Sequence, residues 1–450
     1  MIMINDEKRI KKDFYKFVSL NMLSQIAFSC YTVADTFFVA DSLAADGLTA
    51  LNLAFPMFCF ISGIGLMIGM GGSTKYTINL SRGDKNKANR VFTNSFIIMA
   101  ITSIILVLLG LFFSGQIVRL LGANDEVFSL TNTYLKVMML FAPAFLANNL
   151  LLCFVRNDGR PDLSMKAMMT SSFSNIILDY IFIVRIGMGI LGAILATGLA
   201  PVISILIMLP FIISDKRNFK FDFSKREKDL SNGTFGILSC GVPFFLTEAT
   251  SGIVMFLFNY IILRIMGNLG VAAFSIVTVI SLVVIALYTG LAQGIQPLFS
   301  RSYGSCSKSE LSVLLRYSLT TMAILSVVIY AIIYFCADPI ALVFNSESDM
   351  VLQDLAVTGL KIYFIAAPFI GFNIVIATFF TTTGRASKAQ IITMARGFVV
   401  LIPVAFGLSF VFKMTGVWCA YPMSEFIVAI ISLVLFITSK KKSYFHKIST

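Results

Sequence analysis

Apolar runs long enough to cross a membrane recur along the whole chain, and this feature limits its fold more than any other. A membrane-spanning helix needs about 20 mainly apolar residues, and the segments between the runs are too short for a soluble catalytic domain. The composition agrees, because 57% of the 450 residues are hydrophobic and only 13% are charged. We therefore expect an all-α membrane protein.

Twelve of these runs are predicted to be transmembrane helices. They lie at residues 14–40, 48–74, 90–113, 130–154, 163–184, 190–213, 234–262, 270–297, 313–336, 354–379, 389–411 and 416–438. The first residues, MIMINDEKRIKK, resemble the start of a secretion signal, but no small-residue cleavage site follows them. We expect the first run to be an uncleaved span.

The basic residues predict the orientation of the spans. With the N-terminus inside, 29 of the 35 Lys and Arg residues fall on the inner side. The outer side and the outer span ends hold the other six: Arg119, Lys136, Arg185, Arg264, Lys361 and Lys413. This bias places both termini in the cytoplasm of a multi-pass cell-membrane protein. The net charge of +12 then reflects orientation and gives no reason to expect nucleic-acid binding.

An internal repeat divides the chain into two halves. A shift of 225 superposes residues 135–160 on residues 360–385 with eight identities, where chance gives about two. A shift of 221 pairs Gly83 with Gly304 in the loops after spans two and eight. The repeat predicts two six-helix bundles related by a pseudo-two-fold axis along the membrane normal. The predicted N-terminal lobe, cytoplasmic linker and C-terminal lobe cover residues 1–214, 215–233 and 234–450.

Several kinds of catalytic site are excluded by composition. The single histidine, His446, lies in the polar C-terminal tail, so no triad or metal cage is built on histidine. No Gly-Lys dipeptide occurs, so the chain has no P-loop. The seven cysteines form no CxxC pair. We predict that the protein is not an enzyme and needs no cofactor.

Four carboxylates fall inside the predicted spans: Asp35, Asp179, Glu248 and Glu425. Each costs about 2.5 to 3.5 kcal/mol at a helix centre on insertion scales. Spans one and five carry no basic residue beside their acids. A buried carboxylate without a cationic partner can take up a proton or a metal cation, which is the chemistry of an ion-coupling site.

Helical spacing and depth group four polar residues. Asn175 and Asp179 are four positions apart and share one helix face. Asp35 lies in the outer third of span one, and Thr197 lies about two turns from the outer side of span six. The four side chains therefore share one depth. Their oxygens suit either a hard cation such as sodium or a proton network, and a metal site exists only if sodium is the coupling ion.

A second group of residues is predicted to contact the substrate. It comprises Glu248, Asn148, Asn373 and Tyr31. The two asparagines occupy the same place in the two repeats. Their amides either face a cleft or pack between helices. Together with 43 Phe and 21 Met, an acidic cleft would suit lipophilic cations. Trp418 is predicted to be an anchor at the membrane interface.

Five sequence motifs resemble those of the multidrug and toxic compound extrusion (MATE) transporters, most closely the bacterial branch with an acidic N-terminal lobe. They are VADTFFV at 33–39, the GD turn at 83–84, RNDGRP at 156–161, NIILD at 175–179 and GAILATG at 192–198. The resemblance covers nearly the whole chain and implies proton- or sodium-driven export of bulky organic cations. It also implies that Asp35, Asn175, Asp179 and Thr197 form the coupling site of the N-terminal lobe, and that Glu248 matches an acid in span seven.

One departure from the family concerns span one, where many relatives have an early proline and this chain reads SLNMLSQ at 19–25. A bend that depends on that proline is therefore in question, whereas Pro243 is kept at the repeat-equivalent place in span seven. A lipid-linked oligosaccharide flippase of the same superfamily is the alternative function, and a membrane enzyme or channel has less support. The expected partners are organic cations, the coupling ion and membrane lipid, and we expect a monomer.

Overall fold

The structure, a computed structural model, describes residues 2–123, 125–222, 230–345 and 349–441. These ranges contain helices and turns but no strand. Within them, nine helices are long and apolar enough to cross a membrane, or ten if one bent pair counts as a single span. The prediction of an all-α membrane protein is confirmed.

Twelve α-helices account for most of the described residues. They are α1 Ile2–Ser81, α2 Lys85–Leu120, α3 Asp125–Leu140, α4 Ala142–Asn157, α5 Pro161–Asp179, α6 Gly189–Ile213, α7 Leu230–Gly304, α8 Lys308–Phe344, α9 Met350–Tyr363, α10 Ala367–Thr382, α11 Ala386–Met394 and α12 Leu401–Lys441. Two π-helical segments, Tyr180–Arg185 and Ala395–Val399, follow α5 and α11. A 3-10 segment, Phe364–Ala366, separates α9 from α10.

These helices do not correspond one-to-one with the predicted spans. Spans seven and eight both lie in α7, where the backbone leaves the helical region at Gly267. The turn between spans eleven and twelve falls inside α12, at Lys413 with φ 51°. Span four, predicted as one helix, is instead broken into α3 and α4 with a 49° bend. Pro143 near the start of α4 explains this break, because proline has no N–H to continue the preceding helix.

Local geometry confirms the repeat at a shift of 225. Gly159 and Gly384 both have positive φ, 87° and 73°. The following residues, Arg160 and Arg385, donate their N–H groups to carbonyls five positions back, at 3.2 and 2.9 Å. Equivalent turns therefore end α4 and α10.

The shift of 221 predicted for the loops after spans two and eight is wrong by two residues. The N–H of Gly83 donates to the carbonyl of Leu80 at 3.0 Å, and that of Cys306 donates to the carbonyl of Tyr303 at 3.2 Å. Gly83 and Cys306 both have positive φ, 84° and 57°. The structural counterpart of Gly83 is therefore Cys306 and not Gly304.

The chain forms two compact units. Unit 1 combines residues up to Met22 with those from Ile253 onward, and unit 2 runs from Leu23 to Gly252. The lobe boundaries predicted from the repeat remain a prediction, and residues 223–229 of the predicted linker lie outside the described ranges. The two units differ from the predicted lobes, because each unit is a set of residues that pack mainly on one another.

A close crossing of α1 and α7 occurs within each unit. In unit 1, a Cβ added to Gly294 would lie 2.7 Å from the Cα of Val18. In unit 2, a Cβ added to Gly241 would lie 1.9 Å from the carbonyl oxygen of Met67. Small residues at helix crossings let two backbones pack closely in a membrane. The first parts of α1 and α7 thus belong to different units from the parts that follow.

Trp418 belongs to the apolar core of unit 1 and is only 1% exposed. Its ring lies 6.2 Å from that of Phe274, and a Cβ on Gly359 would come within 2.9 Å of its Cζ2 atom. The prediction that Trp418 is an interface anchor is therefore wrong, because its indole is buried in the core. Its place near the end of a predicted span gave no sign of this burial.

The described start of the predicted linker packs on unit 2. The backbone N–H and the side-chain Nδ2 of Asn218 donate to the carboxylate of Asp158, both at 2.9 Å. The N–H of Lys220 donates to Oδ1 of Asn89 at 3.0 Å, and Phe219 is fully buried. Burial raises the pKa of the Asp158 carboxyl. Residues up to 222 are thus part of the packed unit.

Candidate ion-coupling site in unit 2

The site begins where α5 changes its helical winding. Asp179 is the last residue of α5, and the π-helical segment Tyr180–Arg185 follows directly. A π-helical turn shifts the register of the following side chains and occurs frequently at functional sites. The Asp179 side chain has no exposed surface. A carboxylate is therefore enclosed within a membrane-spanning helix.

Asn175 and Thr197 surround one side of this carboxylate. With the amide oriented to satisfy its hydrogen bonds, Asn175 donates to Oδ2 of Asp179 at 3.0 Å and accepts from the N–H of Thr197 at 3.2 Å. Both residues are buried. The structure thus brings together the three residues that helical spacing and depth grouped in α5 and α6.

Asp35 on α1 completes the acidic pair. It is buried, and its negative charge acts on Asp179 and on the phenols of Tyr31 and Tyr134. Among the described residues, Oδ1 of Asp35 and Oδ1 of Asp179 accept no hydrogen bond. Within those ranges, neither carboxylate has a basic group at ion-pair distance. Two acidic groups therefore interact without a cationic partner among the residues that the structure describes.

Sequence reasoning missed Tyr134, which also belongs to this cluster. It lies on α3, is buried, and shares a hydrogen bond with Thr197. The sequence contained a usable signal, because Tyr134 lies near the outer end of predicted span four, at the depth of Asp35 and Asp179. The prediction of the site grouped carboxylate, amide and threonine side chains and did not consider the phenols at that depth, except for Tyr31 as a substrate residue.

This arrangement can bind one small cation. Two nearby carboxylates repel each other when both are charged, and a proton or a metal cation relieves that repulsion. An amide and a hydroxyl add neutral oxygens of the kind that hard cations prefer. Among the described residues, no group of three or more His, Cys, Asp or Glu side chains could hold a metal ion. The oxygens of Asp35, Asp179, Asn175 and Thr197 are of the kind that suits a hard cation such as sodium, or a proton.

Three of the four predicted substrate residues lie in unit 2. Glu248 on α7 packs against α1, with its Cβ 3.2 Å from where a Cβ of Gly63 would lie, and its charge acts on Cys59. Asn148 on α4 has a buried Oδ1 atom that accepts no hydrogen bond from the described residues. Tyr31 is part of the acidic cluster, where its ring packs edge-on against Phe28 at 4.9 Å.

Asn373 lies in unit 1, in a different buried network. Its Nδ2 donates to Oε2 of Glu425 at 2.8 Å, and its Oδ1 accepts from Ser432 at 2.9 Å. Arg396 donates to Oε1 of Glu425 at 2.5 Å. Glu425 is 1% exposed, so the fourth acid found in the spans is buried and paired.

The assignment of Arg396 to the inner side of the membrane is not supported by its contacts. The residue belongs to the π-helical segment Ala395–Val399, and the 29 inner-side basic residues include it. Its side chain instead lies inside unit 1 as the partner of Glu425. The buried acid of unit 1 thus has a cation of its own, whereas Asp35 and Asp179 have none among the described residues.

Comparisons with known proteins identify relatives along almost the entire chain. Residues 21–181 and 243–407 match the family model described as MatE. The multidrug export protein MepA of Staphylococcus saprophyticus is 26% identical over 418 residues, which is 92% of this chain and 90% of MepA. MepA of Staphylococcus aureus is 27% identical over the same shares of the two chains.

Solved structures share the fold at lower sequence identity. An outward-facing multidrug resistance MATE family transporter of the MOP superfamily has a TM-score of 0.89 and 24% identity, covering 96% of this chain and 97% of its own. A crystal structure of MATE in complex with MaL6 has a TM-score of 0.90 and 24% identity, over 96% and 98% of the two chains.

The family match spans both halves of the repeat and well over half of the residues. The expected fold class and the resemblance of the motifs are thereby confirmed. The chain belongs to the MatE family of multidrug and toxic compound extrusion transporters, and it is a transporter rather than an enzyme.

Proposed function

We propose that this protein is a secondary active efflux transporter that exports lipophilic or cationic organic compounds in exchange for protons or sodium ions. The observation that carries the proposal is the buried pair Asp35 and Asp179, which has no cationic partner among the described residues. A charge of this kind in a membrane marks an ion or substrate pathway by default.

The substrate class is supported by both chemistry and relatives. MepA is named a multidrug export protein in two staphylococcal species. Two carboxylates attract organic cations, and the aromatic residues Tyr31 and Tyr134 beside them add cation–π attraction. Glu248 and Asn148, both in unit 2, are proposed as further contacts with the substrate. Asn373 is the equivalent candidate in unit 1, where its amide already binds Glu425 and Ser432, which favours a helix-packing role.

Exchange follows from competition for the same negative charge. A ligand shifts a conformational equilibrium only through its different affinities for the two states. When charged, Asp35 and Asp179 hold the cationic substrate. Uptake of an external proton or sodium ion neutralises the pair and weakens that hold, so the substrate leaves on the outside. The two lobes then alternate access between the cytoplasm, where both termini lie, and the exterior.

Asn175 and Thr197 give the site its ability to hold the coupling ion. The Asn175 amide already bridges Asp179 and the Thr197 backbone, and the Thr197 hydroxyl shares a hydrogen bond with Tyr134. These contacts hold the carboxylate of Asp179 in place when the ion leaves. The same oxygens would coordinate sodium, or would order a proton-transfer network.

A lipid-linked oligosaccharide flippase of the same superfamily is less favoured. A flippase needs cationic groups to hold a diphosphate, whereas Asp35 and Asp179 supply negative charge. Arg396, a cation inside unit 1, is already paired with Glu425 at 2.5 Å. No feature of the coupling site favours an anionic substrate.

Purified protein in liposomes tests the proposal. A proton gradient and a sodium gradient are imposed separately on vesicles that contain the fluorescent lipophilic cation ethidium. We expect one of the two gradients alone to drive ethidium uphill, and we expect ATP to have no effect because the chain has no P-loop. Uphill movement under neither gradient would refute antiport.

A further inference from the structure

We propose that unit 1 carries a binding site for an anionic phospholipid, with an acyl chain in a groove beside α8 and the headgroup phosphate on Lys361. The groove has a volume of about 830 Å³, within the range of about 300 to 1,000 Å³ that is typical of small-molecule sites. Met322, Ser326 and Tyr330 of α8 form one wall of the groove, and Ile365 and Pro368 form the other.

The helical break between α9 and α10 shapes this groove. The chain there narrows to the 3-10 segment Phe364–Ala366, and Pro368 follows at the start of α10. Ile365, within this segment, and Pro368, just after it, both line the groove. The groove therefore lies where α8 faces the break between α9 and α10.

The lining and its surroundings select a hydrocarbon occupant. Helix α8 and the segment Met350–Thr382 are both candidate membrane spans. The lining residues Val327 and Phe335 are 70% and 81% exposed, so they face lipid in a membrane. Water needs two to four polar partners to occupy a cavity. The hydroxyl of Ser326, a lining residue, already shares a 2.8 Å hydrogen bond with Tyr288 and so is a poor partner for water.

The rim of the groove supplies one positive charge. Nζ of Lys361 lies 5.4 Å from the ring centroid of Tyr334, a lining residue. In the described part of the chain, Lys361 has no carboxylate at ion-pair distance. Asp338, one turn beyond Tyr334, already accepts a hydrogen bond from Gln353 at 3.1 Å. An ammonium group at the rim attracts a phosphate and repels a lipophilic cation, so the occupant is an anionic lipid and not the exported compound.

The chain contains a single tryptophan, buried Trp418, so tryptophan reporters can test this site. Tyr330→Trp places a reporter in the groove, and Ile324→Trp places a control on the lipid-facing surface of α8, where Ile324 is 61% exposed. Both variants are reconstituted with brominated phosphatidylglycerol or brominated phosphatidylcholine, which quench indole fluorescence on contact. We expect the groove reporter to prefer phosphatidylglycerol about fivefold, and the control reporter to show no preference.

The charge on the rim is tested in the Tyr330→Trp background. Lys361→Gln should remove the preference, and Lys361→Arg should keep it. An equal response to the two lipids at Tyr330→Trp would overturn the proposal, as would a full preference in Lys361→Gln. Protection of the groove reporter from both lipids by ethidium would identify the transported cation as the occupant and would also overturn it.

Discussion

Asp179→Asn is expected to abolish uphill export, and Asp35→Asn is expected to do the same. Asparagine has nearly the shape of aspartate but carries no charge and takes up no proton at physiological pH. The variant therefore loses the competition between substrate and coupling ion. Removal of a charge from a span makes membrane insertion easier, so expression should be preserved. Gradient-driven movement of ethidium out of the loaded proteoliposomes should fall to the level of protein-free vesicles.

Asp125→Asn is the matched control for these variants. Asp125 is also in unit 2, and its exposed carboxylate pairs with Arg119 at 2.7 Å. Exposed ion pairs contribute about 0 to 1 kcal/mol, so this variant should export normally. Near-normal export by both Asp35→Asn and Asp179→Asn, with normal protein levels, would contradict the assignment of the coupling site.

The Arg396–Glu425 pair should show the largest effect on stability. Removal of one partner of a buried ion pair leaves an unpaired buried charge and costs about 3 to 5 kcal/mol. Arg396→Met and Glu425→Leu should each lower the thermal unfolding temperature of the protein in detergent by many degrees. The double variant should recover most of the loss, because two apolar side chains can replace a buried pair with little cost.

Asp125→Asn again serves as the control, since it breaks an exposed ion pair and should change the unfolding temperature little. The pairing would be contradicted if the double variant lost as much unfolding temperature as the Arg396→Met and Glu425→Leu variants together. A recovery in stability would support a division of roles, in which unit 1 neutralises its buried acid internally and unit 2 leaves its acids for an external cation.

The sequence allowed the core of the candidate site to be predicted because two local rules were sufficient. The helical period places Asn175 and Asp179 on one face. The direction of each span then sets depth, which places Asp35 and Thr197 in the same layer. The structure agrees on the contacts among Asn175, Asp179 and Thr197. The shared face of Asn175 and Asp179 follows from the sequence alone, whereas their contact with Thr197 on α6 needed only the expected packing of two consecutive spans.

Other features depended on contacts that no local pattern reveals. Arg396 and Glu425 are 29 positions apart on different helical segments, so only tertiary packing shows that they form a pair. Neither π-helical segment has a recognisable sequence signal. The break in span four follows from Pro143, which was within reach of sequence reasoning, because proline is disfavoured inside a helix.

The turn equivalence shows a further limit of sequence comparison. Matching identical residues paired Gly83 with Gly304, whereas backbone hydrogen bonds pair Gly83 with Cys306. Cysteine adopts the positive φ that glycine provides in the other repeat. The backbone conformation is repeated although the residue type is not, and a comparison of residue identities cannot detect that.

Ion release on substrate binding tests the central claim most directly. Ethidium is added to purified protein in weakly buffered detergent solution, and the released protons are measured with a pH indicator, with displacement of bound radioactive sodium measured in parallel. We predict that ethidium binding releases one of these ions from the wild-type protein and that Asp179→Asn releases neither. Ethidium binding to the wild type without release of either ion, or unchanged release from Asp179→Asn, would contradict the account.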